Sequence, residues 1–161
     1  MPFYQYVHSG KAFSSLMPYD IVYFTELVPM DFTVKTNEGA YDIEAGVRLI
    51  GKDLLVAIWG GEKPHIGAVS VAQPRPSLKD PNITSATASV ICLPSHKEDE
   101  LAKAASEIFA AVFKTTVVVT AGIHWDNLDK AGIQRVIQNS KILVDLILEK
   151  IISTFPDLLT K

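Results

Sequence analysis

Apolar positions along this chain follow two periods. Tyr41, Ile43, Ala45, Val47 and Leu49 alternate with Asp42, Glu44 and Arg48, as in a strand with one face in a core. Gly51-Lys52 marks a tight hairpin into the run Leu54–Trp59, and Gly60–His65 leads on to Ile66–Ala72. These three segments predict an antiparallel β-meander. Thr87–Leu93 and Thr115–Ala121 are two further strand-type runs, each followed by a helical pattern. The first helix is expected from about Lys97 to Phe113, with Leu101, Ala104, Ala105, Ile108, Ala111 and Val112 on its apolar face. The second is expected from about Asn127 to Ser153. Its stripe holds Leu128, Ala131, Val136, Ile137, Val144, Ile147, Leu148 and Ile151, widened by Ile142, Leu143 and Leu146. A stripe that wide serves either a broad core face or a contact with a second subunit.

The rest of the chain is read around this frame. Ile21–Phe24 and Phe32–Val34 are short strand-type runs separated by Pro29, and Asn37-Glu38-Gly39 is a turn. Residues 73–85, with three prolines, read as a loop. The aromatic-rich residues 1–19 read as an arm that packs on the domain or on a partner subunit. Residues 20–155 then form one α+β domain, an antiparallel β-meander extended by two strand-turn-helix units with two helices packed on the sheet. Residues 156–161 are a tail beyond the helix-stopping Pro156.

Charge and cysteine content narrow the function classes. Fifteen Lys and Arg against 18 Asp and Glu give a net charge of −3, without the basic excess that non-specific binding to nucleic acid or an anionic membrane requires. No apolar run reaches the roughly 18 residues of a membrane span, and MPFYQYVHSGKAF lacks a secretory pattern, so a cytoplasmic address is expected. The single cysteine, Cys92, cannot form a disulfide within the chain, and its apolar strand predicts a buried, inert thiol.

The chemistry concentrates at two turns. Thr87–Leu93 runs into Pro94-Ser95-His96-Lys97-Glu98-Asp99, and the last strand into Gly122, His124, Trp125, Asp126 and Asn127. Each turn opens a helix, whose first N–H groups and partial positive charge favour an anion. Ser95 and Glu98 have the spacing of a capping box. If consecutive strands alternate in direction, His65, His96 and His124 all reach one rim of the sheet. Trp59 and Trp125 lie near the same rim, as ring-stacking or packing groups. Arg75 falls at the opposite end and reaches the rim only by folding back or from a partner subunit. Three imidazoles suit zinc, iron or copper, yet no pair has the spacing that places two ligands on one element. No nucleophile-base-orienter set is visible. A phosphorylated, planar ligand held by histidine hydrogen bonds fits the rim better.

The segments PHIGAVSVAQPRPS (64–77), SATASVICLPSHKEDELA (85–102) and VVVTAGIHWDN (117–127) resemble the prenylated-flavin chaperone family, the LpdD-like group associated with gallate decarboxylases. The resemblance spans about residues 40–140. Members look like proteasome assembly chaperones of the 3/4 type, with an antiparallel sheet, two helices and a dimeric state. The resemblance implies binding of reduced prenylated FMN and its delivery to a UbiD-type decarboxylase, with no catalysis by the chaperone and hence no catalytic residues. The family pattern lands on Gly60, Gly61, His65, Ile66, Gly67, Arg75, His96, Gly122, Ile123 and His124. Ser95 stands where the pattern has glycine. With Lys97 and Asn127 added from the rim, the expected cofactor-binding set is His65, Gly67, Arg75, His96, Lys97, Gly122, His124 and Asn127. The FMN phosphate is expected near a helix start with His96 and Lys97, or with Arg75 from either subunit. His65, His124 and Asn127 are expected on the polar edge of the ring. Two other readings stay open: a metal-dependent enzyme using His65, His96 and His124, and a protein-assembly chaperone without a small-molecule ligand.

Overall fold

The structure is a computed structural model and describes residues 30–159; the expected arm at 1–19 and the expected strand Ile21–Phe24 lie outside the described residues. Six strands, β1 (Phe32–Lys35), β2 (Ile43–Ile50), β3 (Asp53–Gly61), β4 (Ala68–Pro76), β5 (Thr84–Cys92) and β6 (Val117–His124), form one mixed sheet. Helix α1 (Asp99–Phe113) joins β5 to β6, and α2 (Lys130–Thr154) follows β6 before a closing 3-10 turn at Pro156–Leu159. Among the described residues, no helix is long and apolar enough to cross a membrane.

The α+β class matches the sequence reading, but one pairing differs. The sheet order is β1-β2-β3-β6-β4-β5, so β3 and β4 are not neighbours and the three-strand meander is replaced by an insertion. β6 lies between them, parallel to β3 and antiparallel to β4. Its sequence explains the position. Val117-Val118-Val119-Thr120 is a continuous β-branched run, suited to a central strand with partners on both sides. Strand directions are unaffected by the insertion, so β3 and β6 still end at the same edge of the sheet, here called the upper edge.

One face of the sheet carries the core. Ile43, Ala45 and Val47 of β2, Val56 and Ile58 of β3, and Val119 and Ala121 of β6 are essentially fully buried there. The expected alternation along β2 is therefore correct. α1 covers β4, β5 and β6, whereas α2 covers β1 and β2. Small residues of α1, Ala102, Ala105 and Ala110, let it approach closely, and Phe109 and Phe113 fill the remaining space. The buried hydroxyls of Ser70 on β4 and Ser106 on α1 satisfy each other at 2.7 Å. On α2, buried Asn139 donates to the carbonyls of Ala40 and Tyr41, tying the turn before β2 to the helix.

Several other expectations are corrected. The face of α1 read as apolar meets the core only in part: Ala105 is buried and Leu101 and Ala111 pack against it, but Ala104 is exposed and Ile108 and Val112 are 41% and 40% exposed. On α2, Leu143, Val144, Ile147 and Ile151 are buried as expected, but Ala131 and Ile137 are exposed, and Gly132 and Asn139 are buried in the first half of the helix. The loop expected over 73–85 is shorter, residues 77–83, because β4 continues to Pro76 and β5 starts at Thr84. Pro74 and Pro76 are tolerated because β6 stops pairing with β4 at Ala72, which leaves one side of β4 free. Cys92 is exposed at the end of the edge strand β5.

Candidate functional site

Inserting β6 between β3 and β4 has a local consequence. The connection 62–67 cannot make a simple hairpin and must pass over the upper end of β6. Glu62 N–H donates to the His124 carbonyl at 2.8 Å, and Gly67 N–H to the Ala121 carbonyl at 2.8 Å. The crossing is so close that a Cβ on Gly122 would overlap the His65 carbonyl, and one on Gly61 (φ +88°) would overlap the His124 carbonyl. Glycine is required at both positions by backbone contact. This crossing carries His65 above β6, while the turn after β5 brings in His96.

The two imidazoles meet. His65 Nε2 and His96 Nδ1 lie 2.9 Å apart, with ring centroids at 4.5 Å. His65 Nδ1 lies 2.9 Å from the Lys63 carbonyl, which can only accept, so Nδ1 carries the proton and the Nε2 lone pair faces His96. Glu98 completes the group. Its carboxylate oxygens lie 3.6 Å from His65 Nε2 and 3.7 Å from His96 Nδ1, with the side chain only 13% exposed. Both oxygens are held by the backbone: Lys97 N–H donates to one at 2.9 Å and Ile123 N–H to the other at 3.2 Å. Glu98 is the N-cap residue of α1, but its side chain does not cap the helix. The expected capping box does not form. Ser95 sits three residues before Glu98 with φ +69°, outside the helix start.

His124 stands beside this group without joining it. Its ring centroid is 6.3 Å from that of His65, and its Nε2 lies 2.9 Å from Asp126 Oδ1. Asp126 also accepts from Lys63 Nζ at 2.6 Å, and its N–H donates to Glu62. The Lys63 ammonium and then the His124 ring hold the Asp126 carboxyl below its ordinary 3.8, while the same carboxylate raises the Lys63 ammonium above its ordinary 10.5. These groups are solvent-exposed, so they strap the 62–67 crossing to the end of β6 more than they stabilise it.

Next to the cluster, an apolar groove of about 670 Å³ runs between α1 and α2. Leu101, Ala104 and Ile108 form one wall, Val136 and Ile137 the other, and Ile123 of β6 is part of the lining. Lys97 and Glu98 line the end where α1 begins. The α1 face that the sequence assigned to the core is therefore the wall of this groove.

The expected site residues divide accordingly. His65, Gly67, His96, Lys97, Gly122 and His124 come together at the upper edge, whereas Arg75 does not. It lies near the lower end of β4, where Nε donates to Thr87 Oγ1 at 2.6 Å and Nη1 to the Pro76 carbonyl at 2.9 Å. Asn127 is exposed in a turn with φ +58°, ahead of the α2 start, where Asp129 caps the helix by accepting from Gly132 N–H at 2.7 Å. Trp125 packs edge-on against Tyr41 at 5.3 Å beside the core, whereas Trp59 lies on the sheet face away from the helices. Glu98 was missed as a site residue. The signal was the His96-Lys97-Glu98 spacing, which places an imidazole and a carboxylate two residues apart just before a helix.

Comparison with known proteins places the chain in a group. A family model described as the prenylated flavin chaperone LpdD-like domain matches residues 37–152. Protein LpdD of Lactiplantibacillus plantarum is 28% identical over 107 residues, covering 63% of this chain and 71% of that protein. A solved chaperone complex for yeast 20S proteasome assembly contains a chain that aligns with a TM-score of 0.44 at 14% identity, covering 73% of this chain and 95% of that one.

Proposed function

The chain belongs to the prenylated flavin chaperone LpdD-like family, and from that premise we propose that it binds reduced prenylated FMN and delivers it to a UbiD-type decarboxylase. It acts as an accessory protein, not a catalyst, and works as a homodimer. The observation that carries this reading is the junction of a polar histidine cluster with an apolar groove. A volume of about 670 Å³ falls within the range of pockets that take cofactor-sized ligands, and its lining is mainly aliphatic. A flavin with an added isoprenoid-derived ring needs this combination: an apolar bed for the fused rings and convergent hydrogen-bonding groups for the polar edge.

In this arrangement the polar edge of the ring faces His65 and His124. The phosphate lies by His96 and Lys97, which immediately precede the start of α1. Gly67 and Gly122 act through position, letting the 62–67 crossing pack against β6 and Glu98 so that His65 is held at the site. Asn127 adds a donor from the turn before α2. Arg75 belongs to the opposite end of the sheet and reaches a ligand only from a second copy of the chain.

Anaerobic titration of the protein with reduced prenylated FMN, against plain FMN as control, tests the reading. Saturation near one ligand per chain, followed by activation of an added apo-decarboxylase of the UbiD type, is the expected result. Absence of saturable binding overturns the proposal.

A further inference from the structure

We propose that His65, His96 and Glu98 form a binding site for a divalent first-row transition ion, of the zinc or ferrous class. The three side chains present donor atoms that all lie within 4.8 Å of one another. The donor separations of 2.9, 3.6 and 3.7 Å bracket the roughly 3.3 Å expected between two ligands each about 2.0–2.1 Å from a tetrahedral ion. Two imidazole nitrogens and one carboxylate are the donor set of zinc sites that keep a position open, and of facial sites that hold ferrous iron.

The supporting contacts also favour a metal site. The Lys63 carbonyl fixes His65 with its Nε2 lone pair toward the cluster. Backbone N–H groups of Lys97 and Ile123 hold the two Glu98 oxygens. Two of the three ligands are thus oriented before any ion arrives, which lowers the entropy cost of binding. With the His65 proton on Nδ1, the 2.9 Å contact to His65 Nε2 is donated by His96 Nδ1–H. An entering ion replaces that bridging proton, which moves to His96 Nε2 as the ring changes tautomer. Space for the ion is kept by Gly67, where a Cβ would lie 2.6 Å from Glu98 Oε2 and 3.1 Å from His65 Nε2. Partial exposure of both imidazoles, 24% for His65 and 31% for His96, leaves an entry path and an open coordination position.

The ion shares His65 and His96 with the proposed flavin site but does not require the flavin, so the test uses metal alone. Full-length protein without an affinity tag is stripped with chelator, then titrated calorimetrically with Zn(II) and spectroscopically with Co(II). We expect one ion per chain, a Co(II) spectrum of nitrogen and oxygen ligation, and at least about a 100-fold loss of affinity in His96→Ala and in Glu98→Gln. Gln138→Ala, at an exposed position of α2 away from the cluster, should bind as the unaltered protein does. Circular dichroism establishes that each variant is folded, and Glu98→Gln preserves side-chain shape if His96→Ala does not fold. No stoichiometric uptake by the unaltered protein, or uptake unchanged in both ligand variants, overturns the proposal.

Discussion

The two ends of the sheet are built from the same residue types but on different principles. At the lower end, β2 and β4 each turn to an adjacent partner, α1 leads into β6, and polar groups are satisfied locally. Gly51 turns with φ +63° and has nothing within 4 Å of where a Cβ would stand, while Thr115 Oγ1 donates within the same corner to the Lys52 carbonyl at 2.6 Å. Arg75 is held there by Thr87 and Pro76. At the upper end the chain crosses over β6, and three segments distant in sequence are pressed together around glycines. Turning back on a neighbour needs only a permissive residue. Crossing a third strand gathers side chains from several elements, and those side chains form the candidate site.

The sharpest way to break this comparison is to add one methyl group at each end. Gly122→Ala should cost on the order of 3 kcal/mol or more, because the new Cβ meets the rigid His65 carbonyl. Chemical denaturation measures it, and a loss equal to that of Gly51→Ala would remove the distinction. Ligand binding gives the next largest contrast. His65→Ala and His96→Ala should each weaken reduced prenylated FMN by about 10-fold, equivalent to ~1.4 kcal/mol, whereas Arg75→Ala should change it less than about 2-fold within one chain. A large effect of Arg75→Ala alone would place the ligand at a subunit junction. Gly51→Ala itself should destabilise by only ~1 kcal/mol, the cost of left-handed backbone for an L-residue in open space.

The smallest effect is electrostatic. The Asp126 carboxyl titrates below its ordinary 3.8 in the folded state, so its contribution is present above pH 3.8 and is lost as pH falls through the lower folded value. The Lys63 ammonium titrates above its ordinary 10.5, so its contribution is present below pH 10.5 and is lost as pH rises through the higher folded value. Asp126→Asn should therefore match the unaltered protein's stability in strong acid and fall slightly below it near neutrality. A difference that grows on acidification would contradict the sign.

How far the sequence reveals this molecule depends on whether each feature is set locally. The alternation of Ile43, Ala45 and Val47 was readable because only one face of β2 is buried. The convergence of His65, His96 and His124 was readable because strand direction is the same whether or not β6 intervenes. The insertion itself was not, since hairpin and crossing call for similar residues at Gly60-Gly61. α1 misled because both of its faces are apolar. Leu101, Ala104 and Ile108 look like a core face, yet Ala102, Ala105, Phe109 and Phe113 occupy it, and the two phenylalanines were the available clue. Cys92 was expected to be buried from its apolar neighbours, but an edge strand leaves it exposed. Glu98 was read as a local helix signal, whereas its carboxylate bonds to Ile123, 25 positions along the chain.

The central claim, that the ligand lies in the α1–α2 groove against the histidine cluster, is tested most directly by filling the groove. Ala104→Trp places an indole on an exposed position of its wall without disturbing the buried face of α1. The decisive quantity is the Kd of reduced prenylated FMN for the folded Ala104→Trp protein relative to the unaltered one. A loss of at least about 10-fold is expected. Unchanged affinity would contradict the account and move the ligand out of the groove.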